Sequence, residues 1–363
     1  MTACTSERMA MTRLTIDLDA IVRNYRRIVA LAPGSAVAAV VKANAYGLGA
    51  APVAAALAAA GCRHFFVAHL SEVAAVRDAA PAGTPIYVLN GLAAGAEAEC
   101  AALGAIPVLN SLVQLAAWSA HGKRPAVLQV DSGMQRLGLS PPEVERLIED
   151  PGLLAGIDLR YLMSHFACAD EPESPANAWQ RDRFATTCAQ LPSAPRSLAN
   201  SGGAFLGPDY HGDLLRPGIA LYGGDPQPGV TMAPVVTLIA DIIQTRVVPA
   251  GAGIGYGLTA PADTDRVIAT IGVGYADGWP RRLGGRGSAF VGGIRVPIVG
   301  RVSMDSMLID VSDVPGEARL EGAPVELLGP HQTIDDVARD AETISYEILT
   351  QLGSRYARTY IGS

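Results

Sequence analysis

Between residues 36 and 190 the chain repeats one pattern: a short, mostly apolar run, then a stretch of helical character that is often alanine-rich. The apolar runs are Ala36–Val41, Phe65–Ala68, Ile86–Leu89, Ile106–Leu109, Ala126–Val130 and Ile157–Met163. The helical stretches after them are Ala50–Ala60, Ser71–Ala80, Ala93–Leu103, Ser111–Ala120, Pro141–Glu149 and Asn177–Gln190. A run that is apolar at every position is buried on both faces, as a strand of a parallel sheet is. Many βα units in a row fold as a closed barrel or a doubly wound sheet.

The pattern changes near Pro226–Pro234. Beyond it, Val235–Val248, Arg266–Val273, Arg295–Val299, Met307–Val311 and Val325–Leu328 predict strands, broken by glycine and proline turns. Only Ile334–Arg339 and Ser345–Leu352 predict helices there. A second, mainly antiparallel β domain starting near residue 232 is expected. The length of 363 residues fits this division, because one core rarely serves more than roughly 250–300 residues.

Composition excludes several classes of function. The net charge is −7 with no basic run, which argues against a nucleic-acid surface. The longest small-apolar stretch, Ala50–Cys62, is too short to span a bilayer. Five scattered cysteines without a CxxC pair fit reduced thiols in a cytoplasmic protein. The head, Met1 to Ala10, is polar, lacks the apolar core of a signal peptide, and is expected to be a loose tail.

Six segments carry candidate chemistry. In Val40-Val41-Lys42-Ala43-Asn44-Ala45-Tyr46-Gly47 a lysine ends a buried strand. A partly desolvated lysine at such a strand end can form a Schiff base; a surface lysine in a βα loop fits the same segment. Asn200-Ser201-Gly202-Gly203 can present N–H groups and a hydroxyl to a phosphate, or be an ordinary turn. In Arg216-Pro217-Gly218-Ile219 the arginine precedes another apolar run, read as a buried strand; a structural salt bridge is its plainer role. Arg136, at another strand end, suits a carboxylate. Tyr275, in Gly274-Tyr275-Ala276-Asp277-Gly278, and Met304, in Gly300-Arg301-Val302-Ser303-Met304-Asp305, lie in the β domain. Two other signals are discounted. Gly251–Gly257 has the glycines of a dinucleotide loop but no helix after it. His165 and Cys168 have no second ligand pair, so no metal site is expected.

Taken in order, these segments resemble the alanine racemase family, from about Leu14 to Tyr360. The resemblance implies an N-terminal (β/α)8 TIM barrel over 12–231 and a C-terminal mainly antiparallel β domain over 232–363. It implies pyridoxal phosphate as cofactor, L-alanine and D-alanine as substrates, and a homodimer with shared active sites. Lys42 would carry the cofactor as a Schiff base. Tyr46, Ser201, Gly218 and Ile219 would hold its phosphate, with Asn200 in the same loop. Arg216 would face the pyridine nitrogen, supported by His165, and Arg136 and Met304 would bind the substrate carboxylate. Tyr275 would come from the partner subunit as the second base, with Tyr256 beside it at the entrance.

The chain departs from the family pattern at Leu48 and Ser197, where histidines are common, at Ser354, where some members have tyrosine, and at Gln129, where many carry a carbamylated lysine that orients the arginine. The last departure leaves open how Arg136 is held. A broad-spectrum or serine-preferring racemase of the same fold, and a non-catalytic pyridoxal-phosphate carrier, remain as alternative readings.

Overall fold

The computed structural model describes residues 11–362. The expected loose head, Met1 to Ala10 with Cys4 in it, lies outside them. The chain divides into two compact units, one of residues 21–233 and one formed by the chain up to Ala20 together with 234–363.

The first unit is a (β/α)8 barrel. Its strands are Ala36–Val37 and Ala39–Val40 (β2 and β3, one strand interrupted at Ala38), Phe65–Val67 (β4), Ile86–Val88 (β5), Ile106–Leu109 (β6), Arg124–Gln129 (β7), Ile157–Met163 (β8), Arg196–Ser197 (β9) and Leu214–Leu215 (β10). From β3 to β9 they form one parallel sheet in chain order. Backbone bonds close it: β10 pairs β2, Val40 N–H reaches Pro217 C=O at 3.0 Å, and Arg216 N–H reaches Ala199 C=O at 2.9 Å. Phe65, Val67, Ile86 and Val88 have no exposure, as strands packed between a barrel interior and a helix ring must.

Local signals fix several helix ends. Ser111 caps Leu112–Ser119 by accepting from Gln114 N–H. Ser140 and Glu143 form a capping box at Pro141–Glu149.

The apolar run Ile219–Tyr222 is a correction. It reads as a strand but forms a 3₁₀ turn, and the strand lies before Arg216, at Leu214–Leu215. Pro217 has no N–H to donate and Gly218 adopts φ −123°, ψ −88°, so extended pairing stops there. The run is apolar because all four residues are buried.

The second unit is built on Val236–Val248 (β11), a strand of 13 residues. Its first half pairs with Thr12–Asp17 (β1) and Pro324–Leu328 (β18), and its second half with Arg266–Ile271 (β14). A bulge at Ile243, between the pairs Ile242–Ile271 and Gln244–Thr270, separates the halves. With Ser288–Val291 (β15), Ile294–Val299 (β16) and Met307–Asp310 (β17), strands β11, β14, β17, β16, β15 and β18 close on themselves, so those six expose no free edge. Ala357–Ile361 (β19) adds a parallel partner on the far side of β1.

The barrel therefore does not begin at residue 12. β1 pairs on both sides inside the β unit, a long-range choice that a local reading misses.

Candidate active site

The candidate residues of the first unit stand where barrel strands end. Lys42 follows β3, Arg136 follows β7, His165 follows β8, Asn200 and Ser201 follow β9, and Arg216, Gly218 and Ile219 follow β10. That end of the barrel is where loops from different strands meet.

Lys42 opens a turn of unusual hand. Ala43, Asn44, Ala45 and Tyr46 all adopt φ of 53–55°, a conformation that costs an L residue roughly 1–2 kcal/mol. Burial holds the Lys42 ammonium below the usual lysine range, Arg136 lowers it further, and Glu72 opposes both. The amine is thereby more readily freed as a nucleophile.

Tyr46 ends the turn buried against Tyr222, ring centroids 4.6 Å apart. Tyr222 donates to Val40 C=O at 2.9 Å. A side chain at Gly218 would meet the Tyr46 hydroxyl at 2.1 Å, so only glycine fits. The Ser201 hydroxyl oxygen accepts from Gly218 N–H at 2.8 Å and Ala220 N–H at 3.3 Å, which leaves its own hydrogen to donate. Asn200 accepts from Gly203 N–H at 3.0 Å, fixing the loop. Tyr46, Ser201 and the Gly218–Ile219 backbone are thus gathered together, and the Ser201 hydroxyl hydrogen is a donor that could meet a phosphate group.

Arg216 is 3% exposed. Its guanidinium donates to Ser197 Oγ at 2.5 Å, Ser164 C=O at 2.6 Å, Leu198 C=O at 3.3 Å and His165 Nδ1 at 3.2 Å. All four acceptors are neutral. Burial pushes the guanidinium down to about 9, so it keeps its proton at neutral pH. Lys42, Arg136 and Arg216 all act on His165 and, with burial as the larger cause, hold the imidazole well below its ordinary value. Such a concentration of positive charge favours an anionic guest.

Gln129 and Leu48 account for two departures from the family pattern. Gln129 donates to Leu137 C=O at 3.2 Å and its own C=O accepts from Leu139 N–H at 2.8 Å. It thus ties down the loop that bears Arg136. Leu48 has no exposure and belongs to the core.

Tyr275 and Met304 belong to the β unit. Tyr275 N–H donates to Ser303 C=O at 3.0 Å and Ala276 N–H to Met304 C=O at 2.9 Å, so the two loops are joined. Asp277, 4% exposed, caps Gly274 N–H at 2.9 Å and accepts from Arg355 Nε at 2.6 Å. Arg355 also reaches Asp305 at 2.7 Å. Tyr275 and Met304 are 43% and 52% exposed.

Glu72, Ser164, Asp277 and Arg355 were not singled out by sequence. The only hint was the acidic residue three positions after His69, a helix-start spacing.

A half-buried lysine whose ammonium is disfavoured, at strand ends that also bear Arg136, Ser201 and Arg216, marks a barrel suited to lysine–carbonyl chemistry on anionic compounds. Residues 16–226 match the family description "Alanine racemase, N-terminal domain", and 235–360 match "Alanine racemase, C-terminal domain". The chain belongs to the alanine racemase family.

A catabolic alanine racemase of Mesorhizobium japonicum is 55% identical, over 98% of this chain and 95% of that protein. An alanine racemase of Brucella canis is 51% identical over 96% and 93%. The crystal structure of alanine racemase from Bartonella henselae, with covalently bound pyridoxal phosphate, matches with TM-score 0.94 at 43% identity over 97% of this chain and 100% of that one. The biosynthetic alanine racemase of Pseudomonas aeruginosa matches with TM-score 0.91 at 38% identity over 98% and 100%.

Proposed function

We propose that this chain interconverts L-alanine and D-alanine with pyridoxal phosphate, using Lys42 on one face of the substrate and Tyr275 of a partner subunit on the other. The observation that carries the reading is that Lys42, Arg136, His165, Ser201 and Arg216 all follow strands of one barrel, with Arg216 on His165 at 3.2 Å and Ser201 on Gly218 at 2.8 Å, the pair proposed as the phosphate cradle.

Racemisation removes the Cα proton from one face and returns a proton to the other, so one base per face suffices. The cofactor supplies the electron sink that makes the Cα proton removable. Lys42, with its ammonium disfavoured, would hold the cofactor at its carbonyl carbon and would take or give the proton through Nζ. Tyr275 does the same through its phenol oxygen. Tyr46, Ser201, Gly218 and Ile219 hold the phosphate, and Asn200 braces their loop. Arg216 has donors only and keeps its protons, so it would face the cofactor's ring nitrogen without protonating it. That would weaken the electron sink the cofactor supplies and disfavour transamination. Arg136 and the Met304 backbone orient the substrate carboxylate.

The exposure of Tyr275, Met304, Tyr256 and Leu258 on one unit, from 43% to 71%, supports a covering partner, here a second copy of the chain. A narrow mouth formed with that copy would favour a small side chain. Among the described residues no helix is long and apolar enough to cross a membrane, and the cytoplasm is the proposed compartment.

The test is D-amino-acid formation by the purified, cofactor-loaded protein across a panel of L-amino acids. Fastest conversion of L-alanine supports the reading. Comparable rates on serine or larger side chains replace it with a broad-spectrum racemase. Bound cofactor without any racemisation replaces it with a carrier.

A further inference from the structure

The left-handed turn that follows Lys42 needs restraint, because four consecutive residues hold a hand that L residues disfavour. Part of the restraint is internal. Gly47 N–H reaches Ala43 C=O and Gly49 N–H reaches Asn44 C=O, each at 2.8 Å, and the Asn44 side chain accepts from Ala50 N–H at 2.8 Å. These bonds fasten the end of the turn. Its first peptide is fastened from another βα unit. Ala43 N–H donates to Glu72 Oε1 at 2.6 Å.

The other oxygen of Glu72 accepts from Ala68 N–H at 2.7 Å and His69 N–H at 3.0 Å, in the loop after β4. One carboxylate therefore bridges two neighbouring strand ends through three backbone donors. Bonds of this kind, with an ionised acceptor, are among the stronger protein hydrogen bonds.

We propose that Glu72 is a positioning residue for the reaction: its carboxylate clamps the Ala43–Tyr46 turn so that Lys42 and Tyr46, at the two ends, hold the cofactor at its carbonyl carbon and its phosphate together. Without the clamp the first peptide of the turn loses its acceptor, and the spacing of Lys42 and Tyr46 loosens. A glutamine offers one oxygen and one N–H₂ group, so it can serve one limb of the bridge but places a donor against the other. The proposal rests on Lys42 as the cofactor lysine.

The experiment compares wild type, Glu72→Ala and Glu72→Gln. Backbone hydrogen exchange at Ala43, Ala68 and His69 reads the clamp without cofactor. Pyridoxal-phosphate titration of the apoprotein, followed by absorbance, reads cofactor affinity, and steady-state kinetics on L-alanine separate kcat from KM. For Glu72→Ala the expected result is faster exchange at all three amides and about tenfold weaker cofactor binding. The expected kcat falls on the order of 100-fold, as misplaced reacting groups cause, with KM little changed. Glu72→Gln should fall between, and it carries the test if the alanine variant does not fold.

A variant that only melts earlier, with wild-type cofactor affinity and kcat, overturns the proposal and leaves Glu72 a structural residue. Borohydride reduction of the wild-type holoprotein and peptide mapping test the lysine separately. Label on Lys42 supports the premise. Label on another residue removes it, whatever the exchange at Ala43 shows.

Discussion

Nδ1 of His165 accepts a hydrogen bond from the Arg216 guanidinium at 3.2 Å, and that contact sets the imidazole as its Nε2–H tautomer. Arginine has donors only, so the facing nitrogen must be the acceptor. The contact from Asn200 Nδ2 to His165 Nε2 at 3.4 Å is then no hydrogen bond. Asn200 is oriented instead by Gly203 N–H and by Phe166 C=O.

This arrangement gives stability a pH dependence of known sign. Burial, Arg216, Arg136 and Lys42 hold folded His165 well below its ordinary value, whereas in the unfolded chain it titrates near 6.5. As pH falls below about 6.5 the unfolded state takes up the proton first, so the folded state loses ground. The slope for one such group is at most about 1.4 kcal/mol per pH unit, and above that pH the group contributes none. Urea unfolding between pH 5 and 7 should therefore show a shallower loss for His165→Gln than for wild type. Parallel curves would refute the assignment.

Ser197 completes the same buried network. It accepts from Arg216 and donates to Leu214 C=O at 2.6 Å. Ser197→Ala takes the partner from a buried guanidinium N–H and from a carbonyl, at a cost of about 1–3 kcal/mol. Denaturant titration measures it. A variant as stable as wild type would mean that the network rearranges.

Asp277 should matter to chemistry through the turn it braces. Its carboxylate caps Gly274 N–H and holds Arg355, so it fixes the turn that carries Tyr275. Asp277→Ala is expected to lower kcat by roughly 10–100-fold while pyridoxal-phosphate affinity stays at the wild-type value. Loss of both together would assign Asp277 a role in folding alone.

Gly218 makes the converse prediction. A methyl group there would lie 2.1 Å from the Tyr46 hydroxyl, so Tyr46 must move out of the cradle. Gly218→Ala should weaken cofactor binding, read by absorbance titration, more than it lowers the melting temperature. Unchanged affinity would place the phosphate elsewhere.

Much of the barrel was legible because short apolar runs such as Phe65–Val67 and Ile86–Val88, repeated between helical stretches, fit strands buried on both faces. The last two strands were not, since Arg196–Ser197 and Leu214–Leu215 are too short to show a period. Ile219–Tyr222 carried the apolar signal instead, although it is a turn. β1 gave no local sign that its partners are β11 and β19, more than two hundred residues away.

In the candidate site, Lys42 and Tyr275 stood out through their surrounding motifs. Glu72 did not, because its partners are backbone amides in two separate loops. Asp277 and Arg355 are 78 positions apart, and nothing in either local sequence announces the pair.

The central claim is that Lys42 of one chain works with Tyr275 of another, and subunit mixing tests it. Lys42→Ala and Tyr275→Phe should each be nearly inactive as pure proteins. Unfolded together and refolded at equal amounts, they should regain up to about one quarter of wild-type activity, because half the dimers would be mixed and each would hold one complete site. A mixture as inactive as its components would contradict the account, since Tyr275 would then serve its own chain or have no part in the chemistry.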